Sequence, residues 1–350
     1  MRKFFMMAAV VCVSLLSTAA QAKTWRINSD PEAKADFLSI NDAMASLDVY
    51  PGDVLYLDPG CHLPKQSVSK GVTIIGTGFN LNGAVEEAFV DGFDIKASDV
   101  KLMSINITGE VSTYSSNSGS NITLERCKTR NLSFSNAGTN LKVLNCYVSG
   151  YISGSDRGVS VRNTIVLGQI NSIKNGVIKN CVVISDCGNS TGTSYGYYVL
   201  NSITNTSITN NVIINTNTQS TVNGNTTKFY NHQTIYNVSE TDANSINNNI
   251  LSNDAEHTFA IYKTNQFIGA KIEDVFEWEG SLDERFKLKE DSPALGAGAN
   301  GVDCGVYGGA YPYVVSGLPK FIPYIVESNI PTTPTDGKLN ITLKIKSQNE

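Results

Sequence analysis

A short phrase returns through the middle of this 350-residue chain: an apolar residue, any residue, Asn, then a small or polar residue. It reads Val143-Leu144-Asn145-Cys146, Val161-Arg162-Asn163-Thr164, Ile178-Lys179-Asn180-Cys181, Ile208-Thr209-Asn210-Asn211 and Ile246-Asn247-Asn248-Asn249, with a degenerate copy at Leu124-Glu125-Arg126-Cys127. Counted from the residue after Asn, the steps are 19, 18 and 17 residues from Cys127 to Cys181, then 30 to Asn211 and 38 to Asn249. Self-similarity at a short period marks a stacked repeat. Steps this short leave no room for a helix pair, a propeller blade or a βαβ unit. Within a step the apolar residues alternate. Leu141, Val143, Cys146, Val148 and Ile152 share one face, with a change of parity at Asn145. Period two means strands, and the parity change means a corner. Asn suits such a corner because it tolerates the left-handed region and bonds locally.

Residues 1–22 read as a secretion signal, with Arg2 and Lys3, an apolar run from Met6 to Leu16, and Ala20-Gln21-Ala22 as the cleavage site. That run is short for a membrane span, and no later segment is long and apolar enough for one. The expected mature chain is therefore secreted, periplasmic or at the cell surface. A formal charge of −5 argues against a nucleic-acid partner, which would want a basic face. Charged residues make up only 17%, so Asn, Ser, Thr and Gly fill the polar positions. Such a surface suits solenoid turns and contact with neutral polar sugars. Six cysteines remain after the expected cleavage. Cys127, Cys146 and Cys181 occupy the same place in the repeat and read as an inward ladder of buried thiols. Adjacent coils would also bring Cys127 and Cys146 within the Cα separation of about 4.4–6.8 Å that a disulfide requires.

Residues 23–50 read as an N-terminal cap. Phe37, Leu38, Ile40, Met44 and Leu47 fall at helical spacing over 35–47, and a helix there would cover the open end of a stack. Residues 51–311 read as the solenoid, beginning with Pro51-Gly52-Asp53 and the strand Val54–Leu57. Two polar insertions interrupt it. One spans about 186–205 and carries Tyr195, Tyr197 and Tyr198. The other spans about 216–243 and carries Phe229, Tyr230, Asn231, His232 and Tyr236. Just past the corner, the outward positions Tyr147, Ile165, Val182, Leu167 and Ile184 form an apolar stripe. Either an insertion lies over it, or it is a partner surface. Residues 312–350 alternate as strands around a Pro-Thr-rich turn and read as a small β-appendage or a cap on the last coil.

Stacked coils with an Asn ladder at one turn resemble the right-handed parallel β-helix of pectate-lyase-like proteins. The opening helix, Pro-Gly-Asp turn, strand and Pro59-Gly60 resemble the start of exported bacterial β-helix proteins. Ser292-Pro293-Ala294-Leu295-Gly296-Ala297-Gly298 followed by Gly301-Val302-Asp303-Cys304-Gly305-Val306-Tyr307-Gly308-Gly309 resembles their closing phrase. The expected class is therefore all-β, a right-handed parallel β-helix with an N-terminal capping helix and a short C-terminal β-appendage.

Fold alone does not name an activity. Lyases and glycosidases on this fold need charged groups stacked on one strand face, or paired carboxylates, and no phrase here resembles their motifs. Asp91, Asp94 and Asp99 are a weak candidate for Ca²⁺, the one cofactor the sequence suggests, against the plainer reading of a solvated turn. Asp254, Glu256 and His257 form a second such group. His62 and His232 have no partner visible in the sequence. Arg126, Arg130, Arg157, Arg162 and Lys179 could line a groove for an acidic glycan, against the plainer reading that they keep the outside of a solenoid soluble. The expected function is binding or contact with a polysaccharide or cell-surface glycan, without turnover. Tyr195, Tyr197, Tyr198, Tyr230, Asn231, Arg126, Arg130 and Arg157 are the candidate ligand residues. The alternatives are a structural adhesion rod, or a diverged polysaccharide lyase or glycosidase.

Overall fold

The computed structural model describes residues 22–81, 86–113, 119–134, 138–154, 157–185, 199–216, 220–222, 225–227, 235–236, 245–252 and 265–318, and, towards the C-terminus, 324–329, 331, 333–334 and 337–346. The chain winds as a right-handed parallel β-helix. Each full coil contributes one short strand to each of three parallel sheets. Counted over the described residues, sheet A has ten strands, from Thr24–Ile27 to Ser245–Asn247. Sheet B has ten, from His62–Leu63 to Phe267–Ile268, and sheet C has eight, from Gln66–Val68 to Ile235–Tyr236. In the coil with the clearest pattern, Leu141–Leu144 lies in sheet A, Tyr147–Val148 in B and Ile152–Ser153 in C. The next coil stacks on it in register, Leu141 beside Val159 and Leu144 beside Arg162.

The alternation read from the sequence is the alternation observed. Leu141, Val143, Cys146, Val148 and Ile152 are at most 1% exposed and join one core that runs along the stack. Each fully buried Ile, Leu or Val contributes about 1.5–3 kcal/mol against exposure. The parity change at the corner is a left-handed residue: Asn145, Asn163, Asn180, Asn210 and Asn248 all have φ between 44° and 60°. That twist turns the following residue inward, where it bonds the carbonyl two residues back. Thr164 Oγ1 donates to Arg162 O at 2.8 Å, and Cys181 Sγ to Lys179 O at 3.3 Å. Lower in the stack Asn211 takes the same place, donating to Ile178 O at 2.9 Å.

A second left-handed ladder stands at the corner from sheet C to sheet A, through Asp99, Asn121, Asn140, Gly158, Asn175 and Asn205. Its side chains bond one another along the stack: Asn121 Nδ2 donates to Asp99 Oδ1 at 2.7 Å, and Asn140 Nδ2 to Asn121 Oδ1 at 2.8 Å. The sequence reading did not find this ladder, because no apolar phrase marks it.

The N-terminal helix is shorter than its periodicity predicts, Ile40–Ala45, with Ser39 Oγ accepting from Asp42 N at 3.1 Å as its cap. Phe37 instead bridges to Ile27 in extended form, and Leu47 is 89% exposed. The helix packs against the first strand of sheet C. Two bonds join them there: Asn41 N donates to Gln66 Oε1 and Ser67 N to Asn41 Oδ1, each at 2.9 Å. The strand edge that would otherwise template aggregation is thereby occupied.

After Ile268 the chain leaves the coil, and residues 270–318 run back along the outside of sheet B as a strap. Tyr147, Ile165, Val182 and Ile184, the apolar stripe, are at most 7% exposed beneath it, in a second core with Val275, Phe276, Phe286, Ala294, Val306 and Tyr313. The stripe is therefore covered by the C-terminal segment. The expectation that an insertion covers it is corrected, and the alternative of a bare partner surface loses its motive. The closing phrase of 292–309 lies within this strap. Beyond it, Tyr324–Asn329 and Thr342–Lys346 pair as a separate antiparallel ribbon. Among the described residues, no helix is long and apolar enough to cross a membrane.

Candidate functional site

The strap is held by the repeated phrase itself. Each corner Asn turns its backbone left-handed and aims its side chain outward at the strap backbone. From the bottom coil upward, Asn248 Nδ2 donates to Ala297 O at 3.3 Å, and Asn210 Oδ1 accepts from Ala299 N at 3.0 Å. Asn180 Nδ2 reaches Asp303 O at 3.4 Å, and Asn163 Nδ2 reaches both Val306 O and Gly308 O at 2.9 Å. Asn145 Nδ2 meets Tyr311 O at 3.5 Å, and Arg126, in the degenerate copy, donates from Nη1 to Leu318 O at 2.6 Å. Strap numbers rise as coil numbers fall, so one ascending segment is stitched once per coil. Towards its far end it is anchored by Asp283, fully buried, which accepts from Ser281 Oγ, Tyr313 OH and Ser316 N at 2.9, 3.2 and 2.6 Å. Burial, with the Asp283 charge beside them, pushes the Tyr307 and Tyr313 hydroxyls above the ordinary phenol range.

Between the strap's rim and the outer face of sheet A lies a groove of about 1520 Å³. Its floor is the outward column of sheet A, and its wall is the strap from Ala299 to Val315. Strand pairing places Leu144 beside Arg162 and Arg162 beside Lys179, with Lys142 beside Ser160. Neighbouring parallel strands are about 4.8 Å apart, so Lys142, Arg162 and Lys179 come from three successive coils within one patch. Among the described residues none of the three has a carboxylate within ion-pair distance, whereas Glu125, the one acid lining the groove, is held by Lys101 at 2.7 Å. The charged residues lining the groove are Arg126, Lys142, Arg162, Lys179 and Glu125. They make a locally basic cleft on a chain of net charge −5. Tyr311, 74% exposed, stands on the strap side.

Of the basic residues chosen from the sequence, Arg126, Arg162 and Lys179 line this groove, whereas Arg130 and Arg157 do not. Arg126 is 3% exposed, lies at the corner from sheet A to sheet B, and is spent on the strap; burial lowers its pKa. Arg130 lies exposed at the next corner, between Lys128–Thr129 and Asn131–Ser133, and Arg157 lies exposed at the third, before Val159–Arg162. A triangular cross-section sends the three to different edges. Lys142 was missed, though its exposed place between Leu141 and Val143 was readable from the alternation. Tyr195, Tyr197, Tyr198, Tyr230, Asn231 and His232, with Asp254, Glu256 and His257, lie outside the described residues.

The acidic trio is also dispersed. Asp91 accepts from Thr108 Oγ1 at 3.1 Å and pairs with His62 Nε2 at 3.2 Å, and its bond to His62 holds its carboxyl below the usual range. His62 thus has a partner that the sequence did not reveal. Asp94 pairs with Lys65 at 2.7 Å and accepts from Ser112 at 2.8 Å. Although its burial acts in the opposite sense, these contacts hold its carboxyl low. Asp99 is the first rung of the second Asn ladder. Each carboxylate is taken up by partners of its own, and no group of three or more metal-ligating side chains occurs among the described residues. The Ca²⁺ candidate therefore has no joint geometry. In comparisons with known proteins, no family model, no curated protein and no solved structure matches this chain.

Proposed function

We propose that this chain is an exported, pectate-lyase-like bacterial β-helix protein that binds an acidic carbohydrate chain in the groove between sheet A and the strap, without turning it over. The observation that carries the reading is the row Lys142, Arg162 and Lys179, placed on three successive coils with no carboxylate within ion-pair distance among the described residues, Arg162 being steadied by Ser160 Oγ at 3.0 Å. A cationic cleft with low-dielectric walls concentrates an anionic ligand even on an acidic protein. Tyr311 offers a ring for stacking, and the amides and hydroxyls of the rim suit sugar hydroxyls. Binding without turnover is favoured because Glu125 is the one acid lining the groove among the described residues and is tied to Lys101, whereas glycoside hydrolysis generally needs two cooperating carboxyl groups. Export is favoured by the signal-like residues 1–22.

The test is titration of the mature chain with carboxylated and sulfated polysaccharides at two salt concentrations, with neutral glycans alongside and product analysis on every hit. Salt-sensitive binding without new chain ends is expected, weakened about tenfold by Arg162→Ala and by Lys179→Ala, roughly the loss of one charge-assisted hydrogen bond each. Binding indifferent to both substitutions would remove the groove from the reading. New reducing ends or unsaturated products would replace it with a diverged hydrolase or lyase.

A further inference from the structure

The inward ladder at the corner from sheet A to sheet B gathers four of the five described cysteines into one file. Backbone register sets their order. Cys61 is separated from Cys127 by the rungs of Ala88 and Ile105, and Cys181 is separated from Cys146 by Thr164. The fifth, Cys304, is in the strap and donates to Asn248 O at 3.2 Å. Of the described cysteines, only Cys127 and Cys146 stand on adjacent coils, in register between the pairs Glu125–Leu144 and Lys128–Tyr147. Both are fully buried free thiols, Cys127 Sγ donating to Glu125 O at 3.5 Å and Cys146 Sγ to Leu144 O at 3.3 Å. Parallel strand spacing is about 4.8 Å, inside the Cα range of about 4.4–6.8 Å for a disulfide. A pair two coils apart would be at about twice that spacing and outside it.

We propose that Cys127 and Cys146 are the disulfide site of this protein, a covalent staple between two successive coils. It rests on the export reading only for the oxidant, a disulfide-bearing compound or exchange catalyst of an oxidising compartment. One thiolate attacks the oxidant's disulfide, giving a mixed disulfide and releasing one reduced sulfur. The second thiolate attacks the mixed disulfide and releases the other. The two cysteines lose two protons and two electrons, and the oxidant's disulfide becomes two thiols. The bond forms before the coils close, because in the folded core desolvation disfavours the thiolate and excludes the oxidant. Its placement has a consequence for the strap. The residues preceding the two cysteines are Arg126 and Asn145, which grip the strap at Leu318 and Tyr311. The staple joins the two coils that hold the strap's far end.

The test is refolding of the full mature chain in a glutathione redox buffer, followed by alkylation in denaturant and peptide mapping. Cys127→Ser, Cys146→Ser and Cys181→Ser variants are carried alongside. The native chain and Cys181→Ser are expected to yield one bridge joining positions 127 and 146, and the other two variants none. Reductant should lower the Tm of the native chain and leave that of Cys127→Ser unchanged. Two alkylated thiols at 127 and 146 in folded protein, or a bridge to another cysteine, overturns the proposal. Protein secreted by a host into an oxidising compartment is mapped in the same way, so a refolding failure still gives an answer. Neither sugar nor the protein's own signal enters these experiments, so failure of the carbohydrate or export reading is seen separately.

Discussion

Sheets A and B are made by the same coils, and their inward residues join one core, yet their outer faces have opposite fates. Outside sheet B the column Tyr147, Ile165, Val182 and Val212 is apolar, and the strap buries it. Outside sheet A the corresponding coils present Lys142, Ser160, Arg162 and Lys179, and the strap stops at the rim. The corner Asn between the two sheets divides them, turning the chain from one face to the other while holding the strap on one side only. A solenoid's inward residues specify the coil. Its outward residues decide which face is closed by the chain and which is left for a ligand.

That contrast can be broken most severely on the covered side. Val182→Asp would place an unpaired charge beneath the strap, and a loss of about 4 kcal/mol is expected. Early proteolysis within 270–318 should accompany it; a strap that stays protected would mean that sheet B does not hold it. Asp283→Ala leaves Tyr313 OH and Ser316 N without their acceptor and should cost about 3 kcal/mol, read as a fall in the denaturation midpoint. The corner itself is dissected by two substitutions of one residue. Asn163→Ala loses two bonds to the strap and keeps a left-handed backbone, for an expected cost of about 2 kcal/mol. Asn163→Gly relieves the backbone and loses only the bonds, about 1 kcal/mol. Equal losses in the two variants would show that the strap bonds, and not the corner, set the requirement for Asn. On the open side, Arg162→Ala and Lys179→Ala should change stability by less than about 0.5 kcal/mol while weakening acidic-glycan binding. A large loss of stability there would make the cations part of the fold.

Much of this architecture was legible in the residues. The alternation around Asn145 marked strands and a corner, and the inward set from Leu141 to Ile152 is the observed core. The limits have particular causes. The apolar stripe was visible as exposed hydrophobicity, but nothing local says that a segment far along the chain, from Val275 to Tyr313, will cover it. The arginines looked clustered because they are close in sequence, whereas a coil spreads neighbouring residues over three faces and stacks residues about one coil length apart. The second ladder was missed because Asp99, Asn121 and Asn140 are matched to one another along the stack and not to a local phrase.

By itself, the sequence determined the period, the strand alternation and the left-handed corners. These are local properties, set by the direction of successive side chains and by the few residue types that tolerate a positive φ. Only the tertiary structure decided which cysteines are neighbours, where Lys142, Arg162 and Lys179 meet, and which face the strap closes. Those depend on coil register and on a long-range return of the chain, where contacts form between residues that share no local pattern.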